Sequence, residues 1–138
     1  MINKFHYCLI LNFHYVQDPS NPTFKGLNGI SEELFHSYII QLKEHFKILS
    51  MSDYISLRDK PGRYCIVTFD DGFINGYNSL FNIFKKEKVP ANFFISSRPY
   101  LDNEVLNVQK IHLLIGKLGL EEFKQSFYKT AGNLNDKR

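Results

Sequence analysis

Tyr64-Cys65-Ile66-Val67-Thr68-Phe69 is a run of aromatic and β-branched residues that stops at Asp70-Asp71-Gly72. Such residues favour an extended backbone, and this run does not alternate apolar with polar. A strand of that kind is buried on both faces, as in a parallel sheet. Behind it, Tyr77, Leu80, Phe81 and Phe84 mark one face of a helix over about residues 75–87. Val89-Pro90 ends that helix, and Ala91-Asn92-Phe93-Phe94-Ile95 gives a second buried strand. Strand, helix, strand is a βαβ unit, so the expected fold class is α/β with parallel strands.

Upstream, Phe5 to Phe13 reads as another buried strand. Asp18-Pro19-Ser20-Asn21-Pro22 forces a loop, and a turn cluster runs from Lys25 to Gly29. Ser31 is placed to cap a helix whose first turn carries Glu32 and Glu33. Leu34, Phe35, Tyr38, Ile39, Leu42 and Phe46 recur at steps of three and four, which predicts a helix over 32–46. A short strand is expected at Lys47 to Ser50, then a brief helix capped by Ser52 or Asp53. Two more helices are expected, Val105 to Lys117 and Leu120 to Lys129, with Gly116 and Gly119 loosening their join. The polar tail Asn133 to Arg138 is expected to fray.

A chain of 138 residues is the size of one compact domain. Aromatic residues at 15% and a net charge of only +3 exclude a disordered chain. The same small charge argues against nucleic acid as a partner, and Lys85, Lys86 and Lys88 read as a solvated helix end. The longest apolar runs, such as Cys8-Leu9-Ile10-Leu11, are too short to span a membrane. Cys8 and Cys65 lie in apolar segments without neighbours at metal-ligand spacing, so both are expected to be reduced core residues. With no signal-peptide pattern at the start, the expected location is the cytoplasm.

Ligands and catalytic groups in parallel α/β folds gather at the carboxyl ends of strands, where Asp70 and Asp71 stand. Adjacent carboxylates in a confined site repel one another unless something positive holds them ionised. A divalent cation would do so, with one carboxylate binding it and the other acting as a general base. Gly72 suits the tight turn behind the pair. The same three residues also read as a plain polar strand-to-helix turn, with Asp71 capping the helix.

The wider string Thr68-Phe69-Asp70-Asp71-Gly72-Phe73 resembles the first motif of the polysaccharide deacetylase (NodB-homology) family, the fourth family of carbohydrate esterases. Leu11-Asn12-Phe13-His14 resembles the family's early strand ending in an aromatic-His pair. Gly29-Ile30-Ser31 with its following helix, and Val89 to Ile95, are similar to family segments in the same order. The resemblance implies the N-terminal portion of a distorted (β/α) barrel and a metal-dependent deacetylase of N- or O-acetylated sugars or polysaccharides. It implies that Asp70 is the general base and Asp71 a ligand of a divalent cation, usually zinc. His14 and Gly72 would line the substrate pocket.

The family's second motif supplies two histidines four residues apart. The histidines here are His6, His14, His36, His45 and His112, and no two have that spacing. The resemblance covers roughly residues 9–115 and implies that residues 1–138 are one partial domain truncated before the His-x-x-x-His motif, with zinc weakly bound or absent and the chain inactive alone. Arg98-Pro99-Tyr100 is similar in form to a later family motif but comes too early, and is expected to be a loop. His112 reads as a packing histidine, and His36 and His45 as residues on the wet side of their helix. Open strand edges of such a partial sheet are expected to favour self-association. Two alternatives stay open: a non-catalytic remnant or binding module of the same fold, and a phosphatase of the haloacid dehalogenase type. The last separates its two aspartates by one residue, whereas Asp70 and Asp71 are adjacent.

Overall fold

The computed structural model describes residues 5–18, 20–21, 25–27, 29–72 and 74–135. Pro19 and Pro22 of the expected loop, Asn28 of the turn cluster, Phe73 of the aspartate motif and the last three residues of the tail lie outside these. The described backbone forms two compact units, Met1–Asp18 with Gly29–Ser97, and Pro19–Asn28 with Arg98–Arg138.

The first unit is a parallel sheet with helices. In chain order it runs β1 (His6–Phe13), α1 (Glu32–His45), β2 (Lys47–Ile48), α2 (Met51–Leu57), β3 (Gly62–Phe69), α3 (Ile74–Glu87) and β4 (Asn92–Phe93). β3 is the centre. β1 pairs with it over eight residues, from His6 opposite Gly62 to Phe13 opposite Phe69. β2 pairs with β3 at Tyr64 and Cys65, and β4 at Thr68 and Phe69. Because β1 occupies one edge of β3 throughout, β2 and β4 share the other edge, one at each end. Between them the Asn92 amide donates to the Val67 carbonyl at 3.1 Å and accepts from the Met51 N–H at 2.9 Å, filling the gap in the ladder.

The barrel implied by the resemblance is corrected by this topology. The sheet is open, in the order β1-β3-β2 with β4 on β3, and is not curled into a barrel. Closure needs consistently staggered strands whose last edge meets the first. Here the outer strands β2 and β4 are two residues long, and among the described residues no ladder joins them to β1.

One face of the sheet, carrying Cys65, Val67 and Phe69, packs on Phe35 and Ile39 of α1 and Leu80 and Ile83 of α3. Leu9, Leu11 and Phe13 of β1 flank this core. Phe69 is its aromatic hub: its ring lies 5.6 Å from Phe13, 5.7 Å from Phe35, 5.8 Å from Phe84 and 5.2 Å from Phe93. The register puts Cys8 opposite Tyr64 and Cys65 opposite Leu9, so the two cysteines point to opposite faces and cannot bridge. Both are free, and burial pushes the Cys65 thiol up to about 11.

Several local expectations change for identifiable reasons. β1 is half-exposed rather than buried, with Ile10 59% accessible, because it is an edge strand. Ser31 caps α1 by accepting from the Leu34 N–H at 3.2 Å, as its position predicts. α2 is capped by Ser50 rather than by Ser52 or Asp53, its hydroxyl accepting from the Asp53 N–H at 3.1 Å. The β4 ladder stops at Phe93, leaving Phe94 and Ile95 exposed. His36 is not on a wet face: its Nε2 lies 2.7 Å from Glu87 Oε1, and Lys43 donates to Glu87 Oε2 at 2.9 Å. This triad ties α1 to the end of α3, whereas His45 is exposed as expected.

The second unit contains α4 (Arg98–Leu101), α5 (Asn107–Leu118) and α6 (Leu120–Asn135). The expected loop at Arg98-Pro99-Tyr100 is therefore a short helical turn, and α6 continues past Lys129 into the tail expected to fray. Gly119, at φ 82°, ends α5. Gly116 does not loosen the join; its missing side chain admits the Lys25 carbonyl against α5. Among the described residues, no helix is long and apolar enough to cross a membrane.

The packing of the first unit can be probed at two places. Phe69→Ala removes the hub of the aromatic cluster and should destabilise the chain by about 3–5 kcal/mol in urea unfolding. The pairing with His36 and then Lys43 holds the Glu87 carboxyl at about 2, below its ordinary 4.5. A lowered carboxyl contributes stability that is present above its unfolded value and lost on acidification through the folded one. Unfolding free energy should therefore fall between pH 4.5 and about 2, and Glu87→Gln should flatten that part of the profile.

Candidate active site

The carboxyl ends of β1 and β3 lie side by side, because Phe13 is opposite Phe69. Each strand continues into a polar residue, His14 on one and Asp70 on the other. The Asp70 N–H donates to the Phe13 carbonyl at 3.1 Å, carrying the ladder one residue beyond the strands. On the other side the Phe94 N–H donates to the Phe69 carbonyl at 2.7 Å. The main chain entering the aspartates is thus held from both edges.

Asp70 is half-buried, and its Oδ2 accepts from Asn12 Nδ2 at 2.8 Å. Asn12 is the direct partner of Thr68 across the ladder, and Asn12, Thr68 and Asp70 share one face of the sheet. The Thr68 hydroxyl lies 3.0 Å from Asn12 Oδ1 and 3.1 Å from the Leu11 carbonyl. Asn12 is the residue that sequence reasoning missed. It stands in the Leu11-Asn12-Phe13-His14 segment, and its signal is a polar side chain near the end of an apolar strand. Its partner becomes visible only with the register.

Asp71 and Gly72 both take left-handed backbone, at φ 71° and φ 69°. For Gly72 this costs little, and a Cβ there would come within 2.9 Å of Ile95 Cγ2. For Asp71 it is a strained conformation, which Asp tolerates better than most residues. Its Oδ2 is buried and has no hydrogen-bond partner among the described residues. Tyr15, 7% exposed, is pushed up from its ordinary value, first by burial and then by the neighbouring Asp71 carboxylate. The phenol therefore stays protonated beside Asp71. The plain-turn reading accounts for Gly72, and a turn by itself does not call for the buried, unpaired Oδ2 of Asp71.

His14 is exposed, with its ring 6.2 Å from that of Tyr15. An open groove of about 440 Å³ runs beside β1 and α1, between Leu11, Phe13, Tyr38, Leu42 and Phe46, and Asn12 is the lining residue that also touches Asp70. The fit to a metal is partial. The orphaned, buried Asp71 oxygen suits one ligand position, but no group of three His, Cys, Asp or Glu side chains able to hold a metal occurs among the described residues.

The proteins this chain is similar to are polysaccharide deacetylases. The family profile described as polysaccharide deacetylase matches residues 58–119, from the turn before β3 to the end of α5. Among solved structures, a de-N-acetylase from Aggregatibacter actinomycetemcomitans is 25% identical over 71% of this chain and 40% of its own, with a TM-score of 0.55. IcaB from Ammonifex degensii is 28% identical over 66% of this chain and 40% of its own, with a TM-score of 0.54. A polysaccharide deacetylase from Bacillus cereus, 22% identical with a TM-score of 0.56, shares the fold over 75% of this chain and 34% of its own. The chain thus spans 40% of the length of the first two structures. No curated protein sequence matches it.

The strain at Asp71 has a measurable signature. Asp71→Gly relieves a positive-φ side chain and removes an unpaired buried oxygen, so it should stabilise the chain by about 0.5–1 kcal/mol in thermal unfolding.

Proposed function

We propose that this chain carries the aspartate part of a hydrolytic site that removes acetyl groups from N- or O-acetylated sugars. The carrying observation is the pair of unlike aspartates at the carboxyl end of the central strand β3. Asp70 is oriented by Asn12, while Asp71 is strained and keeps a buried oxygen unpaired. Strain and an orphaned polar atom at the end of a parallel strand support a functional rather than a structural role. The de-N-acetylase named among the similar structures supports the substrate class.

In this reading Asp70 is the general base, taking a proton from water that attacks the acetyl carbonyl. Asp71 supplies one ligand to a divalent cation, zinc in the family pattern, which when bound makes water more acidic and polarises a carbonyl. Gly72 keeps the turn open beside the pair, and His14 borders the substrate. The same reading takes the His-x-x-x-His segment from outside these 138 residues, which form part of one such domain. A second reading, a sugar-binding module without turnover, is favoured by the incomplete metal ligand set among the described residues.

The test measures zinc binding by calorimetry and acetate released from N-acetylglucosamine oligomers. The 138 residues alone are expected to bind zinc weakly and release no acetate; joined to a His-x-x-x-His segment, they are expected to lose zinc binding in Asp71→Ala and acetate release in Asp70→Asn. Zinc binding and acetate release that both ignore these substitutions would overturn the deacetylase reading. Oligomer binding without any release would favour the binding module.

A further inference from the structure

We propose that Asn12 is a positioning residue for Asp70. It occupies one carboxylate oxygen and leaves the other as the atom that receives a proton. The inference rests on the deacetylase reading and adds to it a residue that the aspartate motif does not contain.

The argument begins with donors and acceptors. A carboxylate oxygen and an amide oxygen cannot face one another without a proton between them. The Asn12 group 2.8 Å from Asp70 Oδ2 is therefore the NH2, and Oδ1 is turned towards Thr68. That orientation needs a donor on the far side. The Thr68 hydroxyl provides it from 3.0 Å, its one proton divided between Asn12 Oδ1 and the Leu11 carbonyl at 3.1 Å. Thr68 is 4% exposed, so water does not compete readily for that proton. The amide is thus held in one sense by a buried hydroxyl on the neighbouring strand.

The consequence lies at Asp70. Its main chain is pinned by the Phe13 carbonyl and its side chain by Asn12, which fixes the carboxylate plane. Among the described residues, Oδ1 accepts no hydrogen bond. A proton taken from an attacking water therefore goes to Oδ1, while Oδ2 stays bonded to the amide. Preorganising a base in this way lowers the barrier without touching the substrate. A carboxylate free to rotate would spend much of its time with neither oxygen placed.

The experiment uses the 138-residue chain labelled with 15N, with the Asn12 side-chain amide as the spectroscopic reporter. One Nδ2 proton is expected far downfield of its twin and slow to exchange with water. Asp70→Ala should collapse that difference. Thr68→Val should collapse it in part, and Thr68→Ser, which keeps the hydroxyl, should restore it. In the acetate-release assay, Asn12→Ala should lower kcat about 10- to 100-fold with KM changed by less than about twofold. An Asn12 amide spectrum indifferent to both Asp70→Ala and Thr68→Val would overturn the inference. So would an unchanged kcat in Asn12→Ala where Asp70→Asn abolishes turnover. The expected amide spectrum in a chain that is joined to a His-x-x-x-His segment and still releases no acetate would support Asn12 as the anchor of Asp70 and count against the deacetylase reading instead.

Discussion

The ring of Phe69 is the contact on which the rest of the first unit depends. It meets Phe13 of the edge strand, Phe35 of α1, Phe84 of α3 and Phe93 of β4. Aromatic pairs at these separations contribute about 0.5–1.5 kcal/mol each beyond their buried area. Their larger effect is geometric. Five rings from five elements lock together at the carboxyl end of the sheet, and the next residue in the chain is Asp70. The hydrophobic core and the polar site are therefore neighbours along the backbone, with no flexible spacer between them.

Beyond Phe69 the chain gives up stability. Asp71 sits at φ 71° with a buried oxygen that finds no donor among the described residues. A chain selected for stability alone would place Gly or Asn there. Asp70, one residue earlier, is held through Oδ2 by Asn12 and through its N–H by the Phe13 carbonyl. Two adjacent carboxylates thus have opposite conditions, one held and one left open. Such asymmetry gives two chemically identical side chains different surroundings.

Much of this was legible in the sequence, because it depends on local rules. The continuous apolar run of β3, the three- and four-residue spacing of α1 and α3, and the Ser31 cap all rest on interactions within a few residues. Asp70-Asp71-Gly72 stood out because charged residues rarely follow so apolar a strand. Less legible were features set by partners far along the chain. His36 looked solvated because nothing nearby showed that Glu87, 51 residues later, would meet it. β1 and β3 looked equally buried, yet one is an edge and the other the centre. Whether the sheet closes is likewise a property of all its strands together, which is why the barrel expectation failed.

Composition, periodicity and the aspartate motif determined by themselves that this chain is α/β, where its longer amphipathic helices lie, and which residues deserve chemical attention. Those properties follow from side-chain shape and charge acting over one or two turns of chain. Only the tertiary structure decided that the sheet is open, that Asp71 is strained with Oδ2 unpaired among the described residues, and that Asn12 holds Asp70. Each of these depends on parallel register, which brings residues 58 positions apart to within 2.8 Å. No local rule encodes that distance, because register is decided by the burial of whole strands at once.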